Sequence, residues 1–284
     1  MNSLKEEKRR TFLSEWVRAY QPNISHYLNP EVWTLLRATH EKKQSERDPA
    51  GTYARKIYNR LLIDLSYNSS RLEGNTYSLL DTEKLIIEGV ANSDKLDEEK
   101  IMILNHKEAI RYLVDNAHKI QISYDEICTL HYLLADGLLQ PASAAGRVRD
   151  HAVRISASTY ITLEGRESLE NELRFICEIA NQIYDPYEQS FFLLVHIAYL
   201  QAFSDVNKRT ARLSPNISLI KNNLMPLSFK YIDKDDYISA MLAIYELNEV
   251  GPLADLFVDS YIKTREEYAI TEEMIGFDEV RVRY

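Results

Sequence analysis

A chain of 284 residues, 45% of them hydrophobic, is long enough to bury a sizeable core as one large domain or two small ones. Its net charge of −9 argues against general nucleic-acid binding, which needs a basic face. Only eight Gly and eight Pro imply few tight turns, and so an all-α or mainly α fold.

The opening stretch, Met1 to Arg10, has no apolar centre of a signal peptide. Asn29-Pro30 reads as N-cap and first position of a helix running to about His40. Ile57, Leu61, Leu62 and Leu65 form an apolar stripe leading into Ser69–Glu73, where Gly74 suits the stop. Ile101, Leu104, Ala109, Tyr112 and Leu113 mark another helix. Ser123 and Glu126 have capping-box spacing, opening a helix that should end at Gly137. Residues 138–165 hold the one long break, and alternation around Val153 and Ile155 predicts a short β-hairpin there. Helices resume at about 167–183 and 187–202, and Pro215 should kink or end the helix that follows. Two more are expected at about 234–247 and 252–267, and Gly276 to Tyr284 alternates enough to read as a strand. No run of eighteen apolar residues predicts a membrane span. Cys128 and Cys177, in apolar helical settings, read as reduced core thiols of a cytoplasmic protein.

The stretch with most chemistry is Gln201 to Arg212, which follows the apolar run Phe191–Leu200. It holds Asp205, Asn207, Lys208, Arg209 and Arg212. A buried helix that breaks into a polar turn and restarts with cations suits a phosphate: free N–H groups and the helix dipole both favour an anion there. Arg209 and Arg212, three apart, share one helix face. Asp205 is placed to hold the Mg²⁺ that accompanies a nucleotide triphosphate. His196, five residues before Gln201, lies about 140° away around the helix and reads as a core residue. His151 lies at the entrance to the predicted hairpin, from which it can approach the site. The seven histidines show no metal-ligand spacing, so a structural zinc site is not expected.

Phe203, Asp205, Asn207, Lys208, Arg209 and Arg212 resemble the core motif of the Fic (Fido-fold) family, His-x-Phe-x-Asp/Glu-Gly-Asn-Gly/Lys-Arg-x-x-Arg. Ser69-Ser-Arg-Leu-Glu73-Gly74 resembles that family's inhibitory helix. Gly146-Arg-Val-Arg149, with Val153, Ile155 and Tyr160, resembles the hairpin flap that aligns the family's targets. The resemblance covers roughly residues 50 to 262 and divides the chain into an N-terminal helical extension (1–50), a Fic-like domain with inhibitory helix and flap (51–265) and a C-terminal tail (266–284). It implies a Fic-type helical bundle, ATP with Mg²⁺ as cofactor, and AMP transfer to a hydroxyl of an unknown target protein docked on the flap. In that reading Asp205 holds the metal, Asn207, Lys208 and Arg209 grip phosphates, and Arg212 binds the γ-phosphate or pairs with the regulatory Glu73.

Two positions depart from the motif. Gln201 stands where the family has its catalytic His, and Val206 where a small residue is usual. A carboxamide hydrogen-bonds in both directions but is not basic, so Gln201 should orient and not deprotonate. Losing a positioned base costs on the order of 10²–10⁴ in rate. A β-branched Val206 resists φ > 0, so a turn that needs it would be strained or reshaped. Lys208 is similar to the Doc toxin branch, whose reaction is phosphoryl transfer. Three functions stay open: a residual or phosphoryl-type transferase, a pseudoenzyme that binds ATP, and a non-catalytic helical interaction module. Neither nucleic acid nor membrane is an expected partner, and self-association stays open.

Overall fold

The computed structural model describes residues 11–38 and 49–282, with side chains as far as 268. The architecture is all-α. An N-terminal extension carries α1 (Ser14–Ala19) and α2 (Pro30–Ala38). After it come α3 (Thr52–Lys56), α4 (Tyr58–Leu72), α5 (Leu79–Glu88), α6 (Asp97–Asp115) and α7 (Tyr124–Ala135). The second half holds α8 (Arg166–Gln182), α9 (Pro186–Leu200), α10 (Asn207–Leu213), α11 (Pro215–Lys221), α12 (Lys234–Leu247) and α13 (Gly251–Val282).

The centre of the bundle is α9. Every residue from Ser190 to Phe203 is buried, and the helix packs against α8, α10 and α11. Its start is fixed by Asp185, whose carboxylate accepts the Tyr187 and Glu188 N–H groups, with Pro186 at the first position. Ser190 Oγ and Ser218 Oγ both donate to Pro186 O, so the partner helix α11 is tied to the root of α9. The chain therefore delivers Gln201 from a fully buried stretch of the core.

Most elements fall where the sequence predicts them. Ser123 accepts from Glu126 N at 3.1 Å, and Asn29 accepts from Glu31 N at 3.0 Å. Gly74 takes φ +95 at the end of α4, and Pro215 divides α10 from α11. Residues 39 and 40 of the predicted α2 lie outside the described residues. Helix α5 has no counterpart among the predictions, although Ser78 and Asp81 have capping-box spacing. Ser78 Oγ accepts from Asp81 N at 3.0 Å.

Two expectations are corrected. The β-hairpin at 153–161 is reduced to one antiparallel bridge between Arg154 and Ile161. Its tip is drawn away from ladder pairing by α12: the Glu246 carboxylate accepts Ser158 Oγ at 2.8 Å and Thr159 N at 2.9 Å. The expected C-terminal strand is instead helix through Val282, an uninterrupted continuation of α13. Alternation over a few residues does not outweigh propagation from a helix already formed.

Candidate active site

The loop between α9 and α10 begins with Gln201 at φ 52 and ψ 51, a left-handed C-cap. Its side chain donates from Nε2 to Ala198 O at 2.7 Å and to Tyr245 Oη at 3.3 Å. Gln201 is thus buried and held, facing a cleft it shares with Glu73, Ile155, Asp205, Lys208 and Tyr245. Burial keeps the Tyr245 phenol well above its ordinary pKa, so neither group offers a basic lone pair near neutral pH.

Asn207 shapes this loop. Its Oδ1 accepts Phe203 N and its Nδ2 donates to Phe203 O, both at 2.8 Å. A grip on phosphate by this side chain has one remaining Nδ2 hydrogen to work with. Val206 sits at φ 63 with its side chain buried, a left-handed conformation that costs a β-branched residue about 1–3 kcal/mol. The turn takes φ > 0 at this position and Val206 carries the strain. Asp205 is exposed in the cleft, with Oδ1 accepting Val206 N at 2.6 Å.

Beneath the loop lies His131, absent from the sequence reading. Its ring stacks on Phe203 at 3.8 Å and its Nδ1 accepts Gly146 N at 2.9 Å. Nε2 therefore carries the hydrogen and donates to Asp205 O at 3.1 Å. Arg149, in the long connection between α7 and α8, joins three segments by donating to Gln201 O (2.7 Å), His151 O (2.6 Å) and Leu163 O (2.7 Å).

The cations of α10 differ in their surroundings. Arg212 is fully buried and donates to Glu73 Oε1 (2.6 Å), Ser69 Oγ and Ser69 O (3.0 Å each) and Tyr237 Oη (3.2 Å). Lys208 Nζ stands 3.5 Å from the other Glu73 oxygen. Burial pushes the Glu73 carboxyl up, but Arg212, Lys208 and Arg209 outweigh it and hold its pKa at about 2. Arg209 is 6% exposed, yet its Nε and Nη1 have no hydrogen-bond partner. Burial lowers its pKa, and the nearby Glu73 and Asp205 only partly offset that.

Ser69 is itself anchored. His106 Nδ1 donates to Met102 O at 2.8 Å, which leaves Nε2 to accept the Ser69 hydroxyl at 2.8 Å. Burial pulls the His106 pKa down to about 3, so it stays neutral. The structure thus brings Ser69, Glu73, Gln201, Asp205, Asn207, Lys208 and Arg212 together, with Arg209 near Glu73 and Asp205 but not lining the cleft, and Val153 and Ile155 on its wall. Tyr160 donates to Tyr199 O at 2.7 Å.

His151 lines a neighbouring cleft with Asp150, Arg166 and Ser204. His196 is a core residue, accepting from or donating to Tyr27 Oη at 2.8 Å among the rings of Trp16 and Phe192. Tyr237, Tyr245, His106 and His131 escaped the sequence reading because nothing local marks them. Each is an apolar-stripe residue of its own helix until the fold turns its polar atom toward the site.

Orphaned, desolvated guanidinium N–H groups suit an anion. No cluster of three His, Cys, Asp or Glu exists among the described residues. Asp205 alone therefore suits Mg²⁺ only as one carboxylate beside phosphate oxygens, a usual arrangement for that ion. With Glu73 in place the cleft measures about 210 Å³, below the roughly 300–1,000 Å³ of small-molecule sites.

A helical bundle with a polar loop opening onto basic α10 and a carboxylate from α4 defines a Fic-type fold. Residues 121–219 match the model of the Fic/DOC family. The chain is 24% identical over 224 residues to the protein adenylyltransferase fic-1 of Caenorhabditis elegans, covering 77% of this chain and 43% of that protein. It is 28% identical over 219 residues to the protein adenylyltransferase Fic of Nematostella vectensis, covering 73% of this chain and 50% of that one. The chain thus spans about half the length of these curated relatives. A solved structure of Fic-1 from C. elegans superposes with a TM-score of 0.69 at 20% identity, over 86% of this chain and 73% of that one, a likeness of fold. No helix among the described residues is long and apolar enough to cross a membrane.

Proposed function

We propose that this chain binds ATP with Mg²⁺ on an adenylyltransferase scaffold, is held shut by Glu73, and transfers AMP to a protein hydroxyl only very slowly. The observation that carries the reading is the buried Arg209, with two guanidinium nitrogens unpartnered and only partial compensation from Glu73 and Asp205. Such a desolvated cation is stabilised by a charged acceptor, and a phosphate chain supplies several. Arg209 and Lys208 bind phosphate oxygens, and Asp205 holds the metal against them. The bound nucleotide supplies an activated phosphoryl centre. Gln201 orients the acceptor hydroxyl by hydrogen bonding and takes no proton from it.

Glu73 occupies the remaining cation, Arg212, and the space beside it. In this reading the carboxylate and a terminal phosphate compete for the same charge, so the resting state is autoinhibited. The names of the relatives support ATP use and a protein target. The target docks along the flap at Val153 and Ile155, and a cytoplasmic setting accords with free Cys128 and Cys177.

Calorimetric titration of the full chain with ATP and Mg²⁺ tests the proposal, with the Glu73→Gly variant alongside. Binding that tightens in the Glu73→Gly variant and weakens by about 1.5–3 kcal/mol with Arg209→Ala is expected. Equal, undetectable binding in both chains overturns it in favour of a non-catalytic interaction module. Label transferred from the γ-phosphorus instead of the α-phosphorus reassigns the chemistry to phosphoryl transfer.

A further inference from the structure

The N-terminal extension reaches the flap. Phe12 N donates to Ile161 O at 2.9 Å, and Thr11 pairs with Ile161 in a parallel bridge. Ile161 is bridged on its other side to Arg154. The short flap therefore has a third member, contributed from about 150 residues away in sequence. The contact continues inward. The Phe12 ring stacks on Tyr199 at 5.0 Å, and Leu13 N donates to Tyr199 Oη at 3.0 Å. Tyr199 O accepts the flap hydroxyl of Tyr160 at 2.7 Å. Tyr160 stacks on Tyr245 at 5.5 Å, and Tyr245 Oη meets Gln201.

The other end of this arm is rooted in the core. Glu188, 1% exposed on α9, accepts Tyr20 Oη (2.9 Å), Tyr27 N (2.6 Å) and Leu28 N (2.9 Å). Val17 and Leu28 are buried, and Arg18 pairs with Glu172 of α8 at 3.0 Å. A segment tied down along α1 and beyond has little freedom where it meets Ile161. A flap with one bridge of its own needs such support, since an isolated two-stranded pairing is marginal in water.

We propose that residues 11–13 are a built-in stay of the flap. They hold the height of Val153–Ile155 over the Gln201 cleft and close the Ile161 edge to any partner strand. A docking peptide then has only the Val153–Ile155 edge to add to. This rests on reading residues 150–165 as the target-aligning flap.

Limited trypsin digestion of the full chain tests the stay, because Arg154 is an exposed flap residue and Lys119, in the turn after α6, is an exposed internal standard. Phe12→Pro removes the N–H donor to Ile161. It should speed cleavage after Arg154 about tenfold while cleavage after Lys119 stays unchanged, the pattern of local opening. Phe12→Ala, which keeps the N–H and loses the stacked ring, should give a smaller acceleration. Tyr160→Phe, with the arm intact and the link to Tyr199 O cut, gives a second accelerated case if the proline variant does not fold. Unchanged Arg154 cleavage in folded variants overturns the proposal, as does equal acceleration at both sites. Faster Arg154 cleavage in a chain whose parent binds no ATP sustains the stay and sinks the nucleotide reading instead.

Discussion

Arg209 and Arg212 stand three residues apart on one helix and live in opposite surroundings. Arg212 is enclosed by Glu73, Ser69 and Tyr237, with every nitrogen of its guanidinium engaged. Arg209 is nearly as deep, with two of its nitrogens unpartnered. The difference separates a cation fully engaged by the chain from one that the nearby Glu73 and Asp205 only partly compensate. Burial without satisfaction is what makes Arg209 the candidate for an anion.

The largest effect that would sharpen this contrast is catalytic. Gln201→His with Glu73→Gly frees Arg212 and restores a base. Transfer from ATP labelled at the α-phosphorus should rise on the order of 10²–10⁴ over the parent. A double variant that binds ATP and transfers nothing moves the defect to Val206 or Lys208. Vigorous transfer by the parent chain would overturn the reading of Gln201.

Substituting each arginine breaks the pair apart. Arg212→Ala strands the Glu73 carboxylate and should cost about 3–5 kcal/mol of stability, as removal of one partner of a buried pair does. Arg209→Ala removes an unsatisfied charge, so thermal unfolding should change little. Phosphate or ATP affinity should instead weaken by about 1.5–3 kcal/mol. Matching stability losses in the two variants would erase the distinction.

Acid unfolding addresses the Glu73 side alone. The folded pKa of about 2 lies below the ordinary 4.5, so the pair contributes fully above pH 4.5 and its contribution is lost as pH falls through about 2. The contribution is on the order of 3 kcal/mol. Stability–pH curves of the parent and Glu73→Gln should therefore converge between pH 4.5 and 2. Their separation should be constant from pH 5 to 8, so protonation near neutral pH does not loosen the pair. Convergence near neutrality would contradict the assignment.

The smallest effect lies at Val206. Ala would lose buried carbon and keep the left-handed penalty, whereas Gly would lose the carbon and the penalty together. Val206→Gly should be more stable than Val206→Ala by about 1 kcal/mol, the reverse of the order in a helix interior. Denaturant midpoints decide it.

These contrasts were unequally legible in the sequence. Most helices were, because their apolar stripes and caps are local: Asn29-Pro30 and Ser123 carry their own signals. The polar turn after Phe203 and the helix that restarts beyond it were legible for the same reason. That Arg209 is the unsatisfied cation was not, since Arg212's partners come from α4 and α12, distant in sequence. The hairpin failed on a long-range competitor. Val153 and Ile155 do alternate, but Glu246 captures the tip and Phe12 the far edge.

Asn207 carries a consequence for genetics. Its side chain reproduces, atom for atom, the paired donor and acceptor that one backbone offers another, and Phe203 is the recipient. Asp has no donor to give Phe203 O, and Gln is one carbon too long. A null allele at this codon would therefore report a loop that never assembled. It would say little about any ligand the loop was built to meet.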